Sequence, residues 1–118
     1  MRKTILFVLA TLGAATPVLA APSTVDRTGY HAIAAGDLAT AEERIVAERK
    51  IFPQRPELML NLASVYARTG RDSEARALYA AVLARPAVAL DLPSGAVESS
   101  HDLANRALRL QGREIATR

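Results

Sequence analysis

The stretch PELMLNLASVYARTGRDSEARALYAAVLARP, residues 56–86, decides the fold. Its apolar residues recur three, four and seven positions after Met59, at Leu62, Ala63 and Tyr66. This spacing places all four side chains on one stripe of an α-helix, which turns once every 3.6 residues or so, about two turns over this span. The sequence therefore predicts a helix over residues 57–68.

A second helix follows after a short connection. Its apolar stripe covers two turns and consists of Ala75, Leu78, Tyr79, Val82 and Leu83. Gly70 lies in the connection and suits the left-handed conformation that commonly ends a helix. Asp72 or Ser73 can cap the second helix by accepting hydrogen bonds from its first N–H groups. Because the connection is short, the two helices are predicted to fold back on each other.

The chain also repeats itself with a period of 34 residues. The matching positions are Pro22 and Pro56, Gly36 and Gly70, Ala41 and Ala75, and Ala47 and Ala81. In the first copy a helix over residues 38–50 is predicted after the capping residue Asp37. The leading helix of the first copy matches the pattern of the second copy less well, because Val25, Thr28 and Ala32 stand where the second copy has Met59, Leu62 and Tyr66. We interpret the first copy as a degenerate terminal repeat; the alternative is an ordinary helical bundle with an accidental period.

The second copy resembles the tetratricopeptide repeat, in which a large residue, Leu, a small residue and Tyr lie on one helix and Ala and an aromatic residue lie on the next. The resemblance covers residues 22–86 and implies two antiparallel helix pairs stacked as a fragment of an α-solenoid. It also implies that the paired helices approach closely at small residues, here Gly29 with Ala41 and Ala63 with Ala75.

The same resemblance implies a binding surface on the inner face of the leading helices. The candidate partner-binding residues are Arg27, Tyr30, Glu57, Leu60, Asn61, Ser64 and Arg68. Asn61 can both donate and accept hydrogen bonds with a peptide backbone, and Arg68 or Arg27 can pair with a carboxylate. Plain exposure to solvent is the alternative for all of these residues. The full basic set that some relatives use to clamp a C-terminal carboxylate is not present.

Residues 87–118 have a different pattern. Two short extended runs, residues 88–92 and 96–99, flank Pro93-Ser94-Gly95 and predict a β-hairpin. A final helix is predicted from a cap at Ser99 or Ser100 to Gly112, as a cover over the repeats. Its expected buried residues are Leu103, Ala104, Ala107, Leu108 and Leu110.

The N-terminus resembles a secretory signal peptide. A positive start at Arg2 and Lys3 precedes an apolar run over residues 4–15, and Pro17 then interrupts it. Residues 1–20 are therefore predicted to be a cleavable signal, with cleavage after Ala20 and a periplasmic or secreted product. An uncleaved inner-membrane anchor is the alternative.

Composition narrows the classes of function. Of 15 Lys and Arg residues two lie in the signal, which leaves 13 against 12 acidic residues and no basic face for nucleic acid. There is no cysteine, and His31 and His101 have no partner at a metal-ligand spacing. Asp102, beside His101, is better explained by the positive end of a helix than by catalysis. We expect no enzyme, cofactor, metal site or small-molecule substrate.

The leading hypothesis is a protein-protein interaction scaffold or adaptor in the cell envelope, which binds a peptide or partner domain in a shallow helical groove. Two alternatives remain: a self-associating structural component of an envelope assembly, and a signal-anchored membrane adaptor. The layout is similar to that of small exported tetratricopeptide proteins of Gram-negative bacteria.

Overall fold

A computed structural model describes residues 26–118 of the chain. The elements in order are α1 (Tyr30–Ala34), α2 (Leu38–Arg49), α3 (Pro56–Arg68), α4 (Asp72–Leu83), β1 (Ala89–Asp91), β2 (Val97–Ser99) and α5 (Ser100–Ala116). The predicted fold class is confirmed: two antiparallel helix pairs are followed by a hairpin and a final helix. The predicted signal, Pro22 and Val25 lie outside the described residues.

Helix α3 is the centre of the fold because it buries two faces. One face packs against the first pair through Leu58, Leu62 and Val65, which join the cluster formed by Ala32, Ala41 and Ile45. The other face packs against α4 and α5 through Met59 and Ala63, which join the cluster of Ala75, Tyr79, Val82 and Ala104. Burying each large aliphatic side chain contributes about 1.5–3 kcal/mol, so α3 accounts for much of the hydrophobic stabilisation.

The leading helix of the first copy is short. Within the described residues it covers only α1, and Thr28 lies in the turn that precedes it. The Asp26 carboxylate organises this turn: its Oδ2 accepts a hydrogen bond from the Ala32 N–H at 3.0 Å and lies 3.5 Å from Arg44 Nη1. Asp37 caps α2 as predicted, since its side chain accepts a hydrogen bond from the Thr40 N–H.

Small residues mark the closest approaches between paired helices, as the sequence predicts. Ala63 and Ala75 are completely buried where α3 meets α4. In the first pair, a Cβ added to Gly29 would lie 2.6 Å from the nearest Ile45 side-chain carbon. Gly29 also has a φ of 70°, so both the space and the backbone conformation at this position require glycine.

The connection between α3 and α4 corrects one prediction. Gly70 has the expected left-handed conformation, and the Arg71 N–H reaches back to the Tyr66 carbonyl at 2.8 Å. This tight turn starts α4 at Asp72, so Arg71 occupies the cap position and no side chain caps the helix. Neither Asp72 nor Ser73 is the cap, and the Asp72 carboxylate instead lies 2.9 Å from Arg118 Nη1.

Arg71 links the two helix pairs. Its guanidinium donates two hydrogen bonds to the Glu42 carboxylate, at 2.6 and 2.7 Å, and lies 4.3 Å from the centre of the Tyr66 ring. These hydrogen bonds lower the pKa of Glu42 below its ordinary value near 4.5 and raise the pKa of Arg71. Because the pKa of Glu42 is lower in the folded state, its contribution to stability is present at neutral pH and is lost as the pH falls through that lowered value.

The C-terminal part forms the predicted hairpin, in which β1 and β2 are antiparallel and Leu90 is opposite Glu98. Ser99 caps α5 by accepting a hydrogen bond from the His101 N–H. Two details of the prediction for α5 are wrong. The helix continues through Gly112 to Ala116, and Leu110 is 52% exposed while Gln111 is buried in its place.

Polar contacts explain why α5 extends beyond Gly112. Gln111 Nε2 donates a hydrogen bond to the Asp72 carbonyl at 2.8 Å, and Arg118 pairs with the carboxylate of the same residue. At the other end of α5, His101 Nε2 lies 2.6 Å from the Arg85 carbonyl. Both ends of α5 are therefore attached to the ends of α4, and α5 covers the second pair as α3 covers the first.

We predict that Gly29→Ala destabilises the protein more than Gly36→Ala does. Both glycines have positive φ, but only at Gly29 does an added Cβ meet another residue. Left-handed backbone strain alone costs about 1 kcal/mol for alanine at Gly36, and overpacking against Ile45 adds about 1–3 kcal/mol at Gly29. Chemical denaturation of the two variants, followed by circular dichroism, measures the difference. Equal losses would contradict the close contact with Ile45.

Candidate binding groove

The third face of α3 lines a groove. Residues at helical spacing on this face, Glu57, Leu60, Asn61, Ser64, Ala67 and Arg68, are all at least partly exposed. They remain accessible because the other two faces of α3 are used for packing against the helix pairs. The inner groove is defined here as the surface between this face and the opposing residues of α5 and the hairpin.

Two cavities make up the inner groove. The hairpin-end cavity, of about 660 Å³, lies between α3, the turn before α1, the hairpin and the first half of α5. The tail-end cavity, of about 560 Å³, lies between the end of α3 and the second half of α5. Ser64, Tyr79 and Ala107 line both cavities, so the two cavities adjoin along α3.

Six of the seven candidate residues lie along this groove. Tyr30, Glu57, Leu60, Asn61 and Ser64 line the hairpin-end cavity, and Arg68 lines the tail-end cavity. Arg27 lines neither cavity and is exposed in the turn before α1. The structure thus brings together the residues that the repeat spacing places on one helix face, together with Tyr30 from the first copy.

Two of these residues also hold the first copy in place. Asn61 Nδ2 donates a hydrogen bond to the Thr28 carbonyl at 2.8 Å. Arg68 Nη1 makes a longer contact of 3.4 Å with the Ile33 carbonyl. The Asn61 amide and the Arg68 guanidinium are therefore partly occupied by the protein itself, and a ligand has to share these groups with the backbone.

Several groove residues were not among the candidates. Tyr79 was assigned to the core; it is buried, and burial raises the pKa of its hydroxyl. Tyr79 nevertheless lines both cavities. Leu92, Leu103 and Gln111 were missed because they come from the hairpin and α5. The apolar spacing of α5 marks Leu103, but nothing in the spacing shows which surface α5 faces.

Gln111 is a buried amide with one unused oxygen. The residue is 4% exposed, and its Oε1 has no hydrogen-bond partner among the described residues, whereas its Nε2 bonds to Asp72. An unpaired buried acceptor costs about 1–3 kcal/mol. Gln111 also lines the tail-end cavity.

The described residues show no grouping typical of catalysis. No cluster of three or more His, Asp or Glu side chains that could hold a metal ion is found among residues 26–118. His101 is engaged with Arg85, and His31 lies edge-on to the Tyr30 ring, with the ring centres 5.4 Å apart. Within the same residues, no helix combines the length and the apolar character needed to cross a membrane.

Comparison with known families agrees with this architecture. A family model described as tetratricopeptide repeat matches residues 32–89. The two helix pairs fit tetratricopeptide-like repeats. The match supports a member of that family, whose repeats generally mediate contacts between proteins and are not catalytic. The matched region starts inside α1 and ends in β1. Its late start agrees with the interpretation that the leading helix of the first copy is degenerate. No curated protein and no solved structure matches the chain.

We predict that Asn61→Ala lowers the free energy of unfolding by about 1 kcal/mol, because the Thr28 carbonyl loses its hydrogen-bond donor. Ser64→Ala, one helical turn further along the groove, is the control and is expected to change stability by less than about 0.5 kcal/mol. Urea denaturation measures both values. If Asn61→Ala were as stable as Ser64→Ala, the contact with Thr28 would contribute nothing to the fold.

Proposed function

We propose that this protein is an exported tetratricopeptide-repeat adaptor that holds a peptide segment or a domain of another protein in the inner groove. The observation that carries the proposal is the pair of adjoining cavities along the third face of α3, lined by six of the seven residues expected to bind a partner. A concave, largely apolar surface with a few polar side chains is typical of a binding site.

The lining of the groove suits an elongated ligand. Leu60, Leu90 and Leu103 supply apolar surface at the hairpin end, and Tyr79 lines both cavities. Ser64 also lines both cavities and can donate or accept a hydrogen bond. A peptide segment that runs parallel to α3 would contact both cavities at once, either extended or as one face of a helix.

The outer surface of α5 favours a separate partner over self-association. Three residues of α5 at four-residue spacing, Asn105, Arg109 and Arg113, form a polar, exposed stripe, while the exposed apolar residues of the helix, Leu110 and Ile115, lie outside this stripe. A helix that continued the stack into a second copy would need an apolar stripe on this surface. We therefore prefer an adaptor that binds another protein over a self-associating structural component. The oligomeric state of the purified protein in solution is a second measurement that distinguishes the two.

We also propose that the adaptor works in the periplasm or outside the cell. The support is the sequence of residues 1–20, in which a basic start precedes an apolar run and a small residue, Ala20, at the end. Expression of the full gene in a Gram-negative host is expected to yield a soluble product that begins at Ala21. Intact mass spectrometry of the periplasmic fraction measures this. Recovery of the full-length mass in the membrane fraction would instead support the anchored alternative.

The groove itself is tested by site-specific crosslinking in cells. A photoreactive phenylalanine at Ser64 faces the groove, whereas the same residue at Ala77 lies on the exposed outer side of α4. We expect Ser64 to crosslink to a discrete partner and Ala77 to give no adduct of that mass. A second change, Ala107→Trp on the opposite wall, is expected to abolish the Ser64 adduct because the indole ring fills the groove.

The result that would contradict the proposal is equally specific. If Ser64 and Ala77 crosslinked to the same proteins, or if Ala107→Trp left the adduct unchanged, the partner would bind elsewhere. Circular dichroism of each purified variant shows that the helices are intact, so that loss of the adduct is not caused by loss of the fold.

A further inference from the structure

We infer that the inner groove selects a segment that combines an apolar side chain with a lysine or arginine, with the cation at the hairpin end. This inference deepens the proposed function and rests on it. It follows from the distribution of charge along the groove, which differs between the two cavities.

The hairpin-end cavity is acidic. Among its described lining residues are two carboxylates, Glu57 on α3 and Asp91 on β1, one histidine, His31, and no lysine or arginine. Asp91 is exposed and makes no ion pair with another described residue. Glu57 lies 3.1 Å from Arg55, but both side chains are well exposed, and such surface pairs are weak. Both carboxylates are therefore accessible to a cation from a ligand.

Apolar surface adjoins these carboxylates. Leu60 comes from the same helix as Glu57, Leu90 and Leu92 flank Asp91 in the hairpin, and Leu103 faces them from α5. A large aliphatic or aromatic side chain in the cavity would contact these leucines, and a long cationic side chain nearby would reach the carboxylates. Lysine and arginine suit this position because their stems are apolar and only their ends are charged.

The tail-end cavity lacks this acidic character. It is lined by Arg68 and Arg118, with Glu114 as its one acidic residue, and Arg118 pairs with the Asp72 carboxylate at 2.9 Å. The charge along the groove thus changes from negative near the hairpin to nearly balanced near the end of α5. A cationic side chain is attracted to the first region more than to the second, which gives the bound segment a preferred position. The two carboxylates also repel phosphate groups, which disfavours nucleic acid as the occupant.

The test is binding of a matched series of short, fluorescently labelled peptides to the full-length or processed protein, measured by fluorescence anisotropy. Each peptide has a Gly/Ser background and one central leucine, flanked on both sides by lysine, glutamine or glutamate. A fourth peptide keeps the lysines and replaces the leucine with alanine. We expect the leucine-lysine peptide to bind about three- to tenfold more tightly than the leucine-glutamate peptide, with the other two in between.

Protein variants assign the preference to the proposed residues. Glu57→Gln combined with Asp91→Asn is expected to bring the lysine-to-glutamate ratio close to one. Glu43→Gln combined with Asp102→Asn makes the same change in net charge at exposed carboxylates that line neither cavity, and is expected to leave the ratio unchanged. High salt should reduce the ratio in the unmodified protein, because exposed charges are screened.

Three results would overturn the inference: equal or tighter binding of the glutamate peptide, an unchanged ratio in the Glu57→Gln/Asp91→Asn variant, or no binding of any peptide in the series. Crosslinking at Ser64 separates this failure from failure of the proposed function. A groove-dependent adduct with no preference for lysine would keep the adaptor and remove only the charge selection, whereas loss of both would remove both proposals.

Discussion

The structure depends on the burial of two faces of α3 at the same time. Leu58, Leu62 and Val65 contact the first helix pair, while Met59 and Ala63 contact α4 and α5. A helix in this position needs small residues where its partner approaches, and Ala63 meets that need. Only one face of α3 is left without a packing partner, and the groove lies along it. The candidate binding surface is therefore a direct consequence of how the core is built.

A stack of two repeats leaves its last apolar surface uncovered unless another element packs on it. Here α5 covers α4 and part of α3, and its Ala104 is completely buried in the second cluster. The hairpin adds residues before α5, and Arg106 holds it to the helix by donating two hydrogen bonds to Glu98, at 2.8 and 3.0 Å. The hairpin and α5 thus serve two purposes: together they close the core and supply the second wall of the groove.

The groove combines structural and recognition roles in the same side chains. Asn61 and Arg68 contact backbone carbonyls of the first copy, so changes at these residues alter stability as well as binding. Ser64 and Ala107 both line the two cavities, but Ala107 also packs against the second cluster, so Ser64 is the cleaner position for testing recognition. Asp91 extends the surface beyond the repeats and supplies charge that the repeat pattern does not contain.

The sequence by itself determined the two helix pairs, the hairpin and the final helix, because apolar spacing, turn glycines and caps are local signals. Helical spacing also determined which residues of α3 share a side, and the resemblance to the tetratricopeptide repeat implied which side is the inner face. The cap of α4, the end of α5 and the burial of Gln111 depended on contacts between distant residues, such as the bond from Gln111 to Asp72. The second wall of the groove and its acidic end were likewise decided only by tertiary structure, because no local pattern shows where the hairpin and α5 pack.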